Sequence, residues 1–160
     1  MLKRLRAEIL CRLEFYRTAI KYFNKFIEIK EYCNTDWSHW DLLYVRESKQ
    51  LRILNSSINL DFQRFINQQL EISKQVINAV APKIIVVCNT MARDILKNKE
   101  NPCGYNVLFD NEIGTYRIKD DSTLNNVPIF FSGMLTGQRA LDIGSFERLK
   151  WHINWVLSKI

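Results

Sequence analysis

Glycine and proline are scarce, five and three in 160 residues, so collagenous, linker-like and low-complexity readings are excluded. Histidine is scarcer: His39 and His152 are the only two, and neither stands in a Cys/His cluster or an H-E-x-x-H arrangement. No metal centre is expected from them. The four cysteines, Cys11, Cys33, Cys88 and Cys103, form no C-x-x-C pair. With no secretory leader in view, reduced thiols and a cytoplasmic location are expected, an organelle transit peptide being the alternative reading of the Arg-rich start. No run approaches the roughly 18 apolar residues that a membrane span needs, so no membrane partner is expected. There is no P-loop and no G-x-G-x-x-G, which argues against nucleotide-driven chemistry of those types, and no cofactor is expected.

What is present is the composition of a folded domain: 47% hydrophobic, 12% aromatic and 25% charged residues. The length suits one domain over 1–160. The net charge of +6 is concentrated at one end, because residues 1–25 hold seven Lys and Arg (Lys3, Arg4, Arg6, Arg12, Arg17, Lys21, Lys25) against Glu8 and Glu14. A cationic face attracts phosphates, although a run of Lys and Arg on a helix more often forms its solvated side. Leu2, Leu5, Ile9, Leu13, Tyr16, Ile20, Phe23 and Ile27 are three and four apart, which predicts a long helix over about 2–31.

Aromatic and branched residues from His39 to Val45 predict a strand ending at Arg46-Glu47-Ser48. Phe62, Phe65, Ile66, Leu70, Ile77 and Val80 predict a second helix over about 59–80, capped by Ser57 or Asn59 and closed by Pro82. The apolar run Ile84 to Cys88 reads as a strand buried on both faces of a parallel sheet, and Asn89-Thr90 after it caps a helix over about 91–98. Tyr105 to Phe109 and Thr115 to Lys119 read as a hairpin around Gly114. Val127 to Phe131 is another buried strand. A loop from Ser132 to Gly144 then leads into a final helix from about Ser145, with Phe146, Leu149, Ile153, Val156 and Leu157 on one side. This alternation predicts an α/β domain: three-layer α/β/α with a mostly parallel sheet and a small β-hairpin.

In such sheets ligands bind beyond the carboxyl ends of strands. Three loops qualify: Arg46-Glu47-Ser48; Cys88-Asn89-Thr90-Met91; and Ser132-Gly133-Met134-Leu135-Thr136-Gly137-Gln138-Arg139. In the third, small residues allow close backbone approach, and Thr136, Gln138 and Arg139 carry donors suited to phosphate. Cys88, at a strand end, is either a thiol of lowered pKa or a buried structural one. Asp120-Asp121 reads as a solvated loop pair.

The segment Lys83-Ile84-Ile85-Val86-Val87-Cys88-Asn89-Thr90-Met91-Ala92 resembles the strand and helix start of the uracil-DNA glycosylase superfamily, where an apolar strand ends in Gly-Asn or Trp-Gly followed closely by Ala. Phe131-Ser132-Gly133-Met134-Leu135-Thr136-Gly137-Gln138-Arg139 is similar to that family's His-Pro-Ser-Pro-Leu-Ser-x-x-Arg, with Leu135, Thr136 and Arg139 matching. Asp41 to Glu47 falls where the family's base-pocket strand would end, so the resemblance covers most of 35–160. It implies the uracil-DNA glycosylase-like fold and a DNA partner: Leu135 as the wedge that fills the gap left by a flipped base, Thr136, Gly137 and Gln138 as the phosphate clamp, and Arg139 as support for the clamp or as a further phosphate contact. Ser132, Gly133 and Met134 open this nucleic-acid-binding loop, and Arg46, Asn89 and Thr90 border the pocket.

The sequence departs from the family twice. Phe131 stands where the family's His stabilises the leaving base, and it has no donor. The family's first strand and water-activating loop have no counterpart ahead of the long helix. The expectation is a protein N-terminally incomplete relative to the family, catalytically degenerate or a C-terminal fragment. The alternatives are a glycosylase active in its complete form, or a small-ligand or protein-interaction domain meeting a partner chain through the first helix or an exposed sheet.

Overall fold

The computed structural model describes residues 23–44, 60–119 and 121–160. These form four helices and a four-stranded sheet: α1 (23–33), α2 (Leu60–Val80), β1 (Ile85–Val87), α3 (Thr90–Lys97), β2 (Asn106–Asp110), β3 (Thr115–Lys119), β4 (Pro128–Phe131) and α4 (Ile143–Leu157). The expected stretch of helix before residue 23, the Ser57 and Asn59 caps, Arg46-Glu47-Ser48, Cys11 and Asp120 lie outside the described residues. The chain divides into two compact units, one of Met1–Ser38 with Met134–Trp155, the other of His39–Gly133 with Val156–Ile160.

The second unit holds the sheet, in the order β1-β4-β3-β2. β1 and β4 are parallel neighbours, with Ile85 opposite Ile129, Val86 opposite Phe130 and Val87 opposite Phe131. The two apolar runs therefore lie side by side, as buried strands each leading into a helix should. β3 pairs antiparallel with both β4 and β2. This corrects the expectation of a mostly parallel sheet: the hairpin joins the main sheet directly through β4, so one pairing of three is parallel.

The hairpin turn follows from Asp110. Its carbonyl accepts from Gly114 N at 2.9 Å and its carboxylate from Glu112 N at 2.8 Å, while Gly114 takes φ 65°, a backbone conformation that glycine adopts without strain. Arg117 locks the base of the turn with a 2.5 Å bond to the same carboxylate.

Leu70, Val87, Ile95, Leu96, Cys103, Tyr105, Ile118, Leu124 and Ile129 make the core. In α2 the inward stripe is Ile66, Leu70, Ser73 and Ile77, at helical spacing. Phe65 and Val80, expected on that face, are 45% and 56% exposed. Ser73 is fully buried because its hydroxyl donates to the Leu42 carbonyl at 2.8 Å, which satisfies both groups.

Residues 39–44 are not a strand, which corrects the reading of His39 to Val45 over its described part. Leu42 and Leu43 pack on the core as irregular chain, and Leu42 spends its carbonyl on α2 instead of on a sheet ladder. Ala81, at φ 46°, ends α2 one residue before Pro82.

In the first unit, α1 and α4 are joined by Cys33, whose thiol meets the Lys150 carbonyl at 3.9 Å, and by Lys150 with Glu28 at 4.0 Å. Lys25 lies 4.3 Å from the centroid of the Phe146 ring. Trp151 and Trp155 stack at 6.2 Å on α4 with His152 beside both.

Candidate nucleic-acid interface

Parallel pairing of β1 and β4 brings their carboxyl ends together. Ser132 N donates to the Val87 carbonyl at 2.8 Å, so the chain leaving β4 starts beside the turn that leaves β1. Ser132 is partly buried and Gly133 exposed. In the β1 turn, Asn89 has extended backbone and its side-chain oxygen accepts from Met91 N at 2.8 Å and Ala92 N at 3.2 Å, capping α3. The cap consumes that oxygen, so only the amide NH2 of Asn89 remains to meet a ligand. Thr90, the first helical residue, is exposed. Desolvation pushes the Cys88 thiol up to about 12, which makes it the inert, structural kind. Arg46 lies outside the described residues.

Met134 to Arg139 belong to the first unit, Ser132 and Gly133 to the second. Residues 134–141 form a closed loop: Leu141 N donates to the Met134 carbonyl at 2.8 Å, and Met134 bridges Ala140. At its tip Ala140 N donates to the Gly137 carbonyl at 3.2 Å, and Gly137 has φ 87° with open space where a Cβ would stand. Glycine is needed there for conformation and not for room. Gly137, Gln138 and Arg139 are exposed, and Thr136 is partly buried. Leu135 is only 6% exposed, whereas Met134 is 40% exposed. In this conformation Leu135 anchors the loop, and the apolar side chain presented to solvent is Met134. Local pattern does not separate the two, because both residues are apolar and adjacent.

The N-terminus of α4 is already occupied. Asp142 accepts from Ser145 N at 2.9 Å and Ser145 Oγ at 2.6 Å, bonds that hold its carboxyl below the usual carboxylate range. This carboxylate sits at the helix's positive end, so a phosphate would be gripped by loop side chains and amides rather than by that terminus.

Phe131 packs edge-on against Tyr116, their ring centroids 5.3 Å apart, with the Lys97 ammonium 4.9 Å from its centroid. Among the described residues no group of three or more His, Cys, Asp or Glu is placed to hold a metal ion, and no helix is long and apolar enough to cross a membrane. No family model, curated protein or solved structure matches the chain.

Proposed function

We propose that this chain is a uracil-DNA glycosylase-like protein of the three-layer α/β/α class that binds the DNA backbone through Ser132 to Arg139 and does not excise a base. The observation that carries this reading is the 2.8 Å bond from Ser132 N to the Val87 carbonyl, which starts the loop at the joined carboxyl ends of two parallel strands, the position at which α/β sheets hold ligands. The exposed Gly137, Gln138 and Arg139 supply backbone access, an amide and a guanidinium. Catalysis is left out of the proposal because Phe131, at the end of β4, carries no hydrogen-bond donor of its own for a leaving base.

Titration of duplex DNA at several salt concentrations tests the binding. Arg139→Ala is expected to weaken binding across sequences and flatten the slope of log K against log salt by about 0.9, the value for one phosphate contact. Unchanged binding by Arg139→Ala, with loss on replacing Arg12, Arg17 and Lys21, would move the interface to the basic N-terminal segment. Incubation with uracil-containing DNA followed by alkaline strand cleavage tests the chemistry; the expected result is no cleavage.

A further inference from the structure

β2 closes one side of the sheet, and its Phe109 is unlike the aromatic residues behind it. Cross-strand pairing sets Phe109 opposite Tyr116, and the rings of Phe109, Tyr116 and Phe131 form a row with successive centroids 5.3 Å apart. Tyr116 and Phe131 pack against the core, whereas Phe109 lies beyond it and is 54% exposed. The Lys97 ammonium stands 4.0 Å from the Tyr116 centroid, and no carboxylate pairs with it among the described residues. An exposed ring backed by two partly buried rings, with an unneutralised cation one ring away, has the two parts that a nucleotide engages: a π-face for the base and a charge for its phosphate.

We propose that the Phe109–Tyr116–Phe131 row with Lys97 is a stacking site for unpaired bases of single-stranded nucleic acid. This deepens the proposed function, on which it rests: a nucleic-acid partner carries bases as well as phosphates, and Phe109 receives a base that is out of the duplex. A stacked base is tolerant of sequence, so the site ranks strands by whether they carry bases and not by which ones.

The test uses the full chain and fluorescence anisotropy with two labelled probes of equal length, a thymidine oligomer and its abasic counterpart. Phe109→Ala is expected to lower affinity for the thymidine oligomer by roughly 5- to 100-fold, as loss of one stacked base does, and to leave the abasic probe unaffected. Lys97→Gln is expected to weaken both probes and to flatten the salt slope by about 0.7, the single-strand value for one phosphate. Phe109 is exposed, so its variant should keep the wild-type unfolding midpoint, which separates lost stacking from lost fold. Equal loss on both probes, or none on either, would overturn the stacking site while Arg139→Ala still reports on the loop. Failure of the wild-type chain to bind either probe would reject the site, with duplex titration deciding the loop independently. A dimer in sedimentation that Phe109→Ala dissociates would make the patch a self-interface and also reject it.

Discussion

Gly104 is the residue with the least freedom. A Cβ built on it would stand 1.8 Å from the Asn98 carbonyl oxygen, because the chain between α3 and β2 turns back on itself through Asn101 N to the Asn98 carbonyl and Gly104 N to the Asn101 carbonyl. The clash is with backbone, so the turn itself must open. Gly104→Ala is expected to destabilise by about 1–3 kcal/mol or more, read as a lower urea midpoint at unchanged slope. The opened turn would also disturb Lys74, whose ammonium meets the Gly104 carbonyl at 2.8 Å. Leu135 is constrained by burial instead of geometry. Leu135→Ala is expected to cost stability, about 2–5 kcal/mol if the site is as closed as a core position, whereas Met134→Ala should leave stability unchanged and, if the loop meets distorted duplex, reduce the preference for it. A Leu135→Ala variant of wild-type stability would return the wedge to Leu135.

At the scale of elements, α3 and α4 both begin with a side-chain cap, one neutral and one charged. Asn89→Ala removes the acceptor for two backbone N–H groups of α3 and is expected to lower stability by about 1 kcal/mol, measured by chemical unfolding. The capping role and a pocket role for Asn89 separate in this variant: capping alone predicts lost stability with the affinity of the folded protein retained. The strands follow a different logic. Short apolar runs such as Ile85–Val87 and Pro128–Phe131 become strands because each has a partner in register. The segment 39–44, aromatic and branched but carrying His39 and Asp41, has none, and its Leu42 carbonyl accepts from Ser73. Strand formation in these segments depends on where a neighbouring ladder lies, which no local pattern records.

At the scale of the whole molecule, the shifted groups set opposite ends of the pH profile. Burial pushes Cys88 to about 12 and Cys103 to about 11 from an ordinary 9.0, and burial also raises the Tyr105 hydroxyl, which donates to Asn78 at 2.9 Å. Groups with raised values hold their protons longer when folded. Their contribution is therefore complete below pH 9 and is lost as pH climbs through the folded values. Asp110 and Asp142 are lowered, first by hydrogen bonds from Arg117 and Ser145 respectively, so their contribution is complete above 3.8 and is lost as pH falls through the folded values. The urea midpoint is expected to be flat between about pH 5 and 8 and to fall by pH 10 and again below pH 4. Alkylation at pH 8 offers a second check: Cys103, fully buried, should react only on unfolding. Rapid labelling of Cys103 in the native protein, or a midpoint unchanged at pH 10, would contradict that burial.

Much of the fold was legible from local pattern. The periodicity of Ile66, Leu70 and Ile77, the apolar runs before Asn89 and Ser132, Gly114 between two alternating segments and the capping side chain of Asn89 all act within a few residues of chain, so their consequences could be read without knowing what lies across the molecule. The parallel pairing of β1 with β4 was legible for a related reason, because two strands each followed by a helix connect most simply that way. Other features depended on contacts distant in sequence. Antiparallel pairing of β3 with β4 made the sheet mixed, and 39–44 packed as irregular chain with its Leu42 carbonyl accepting from Ser73. Burial fell on Leu135 instead of Met134, and exposure on Phe109 instead of Tyr116. Residues adjacent or paired in the chain and nearly alike in polarity were assigned opposite environments by how far the packed layers extend. That extent is a property of the assembled elements: only tertiary structure could decide which apolar side chains would fill the core and which would be left exposed.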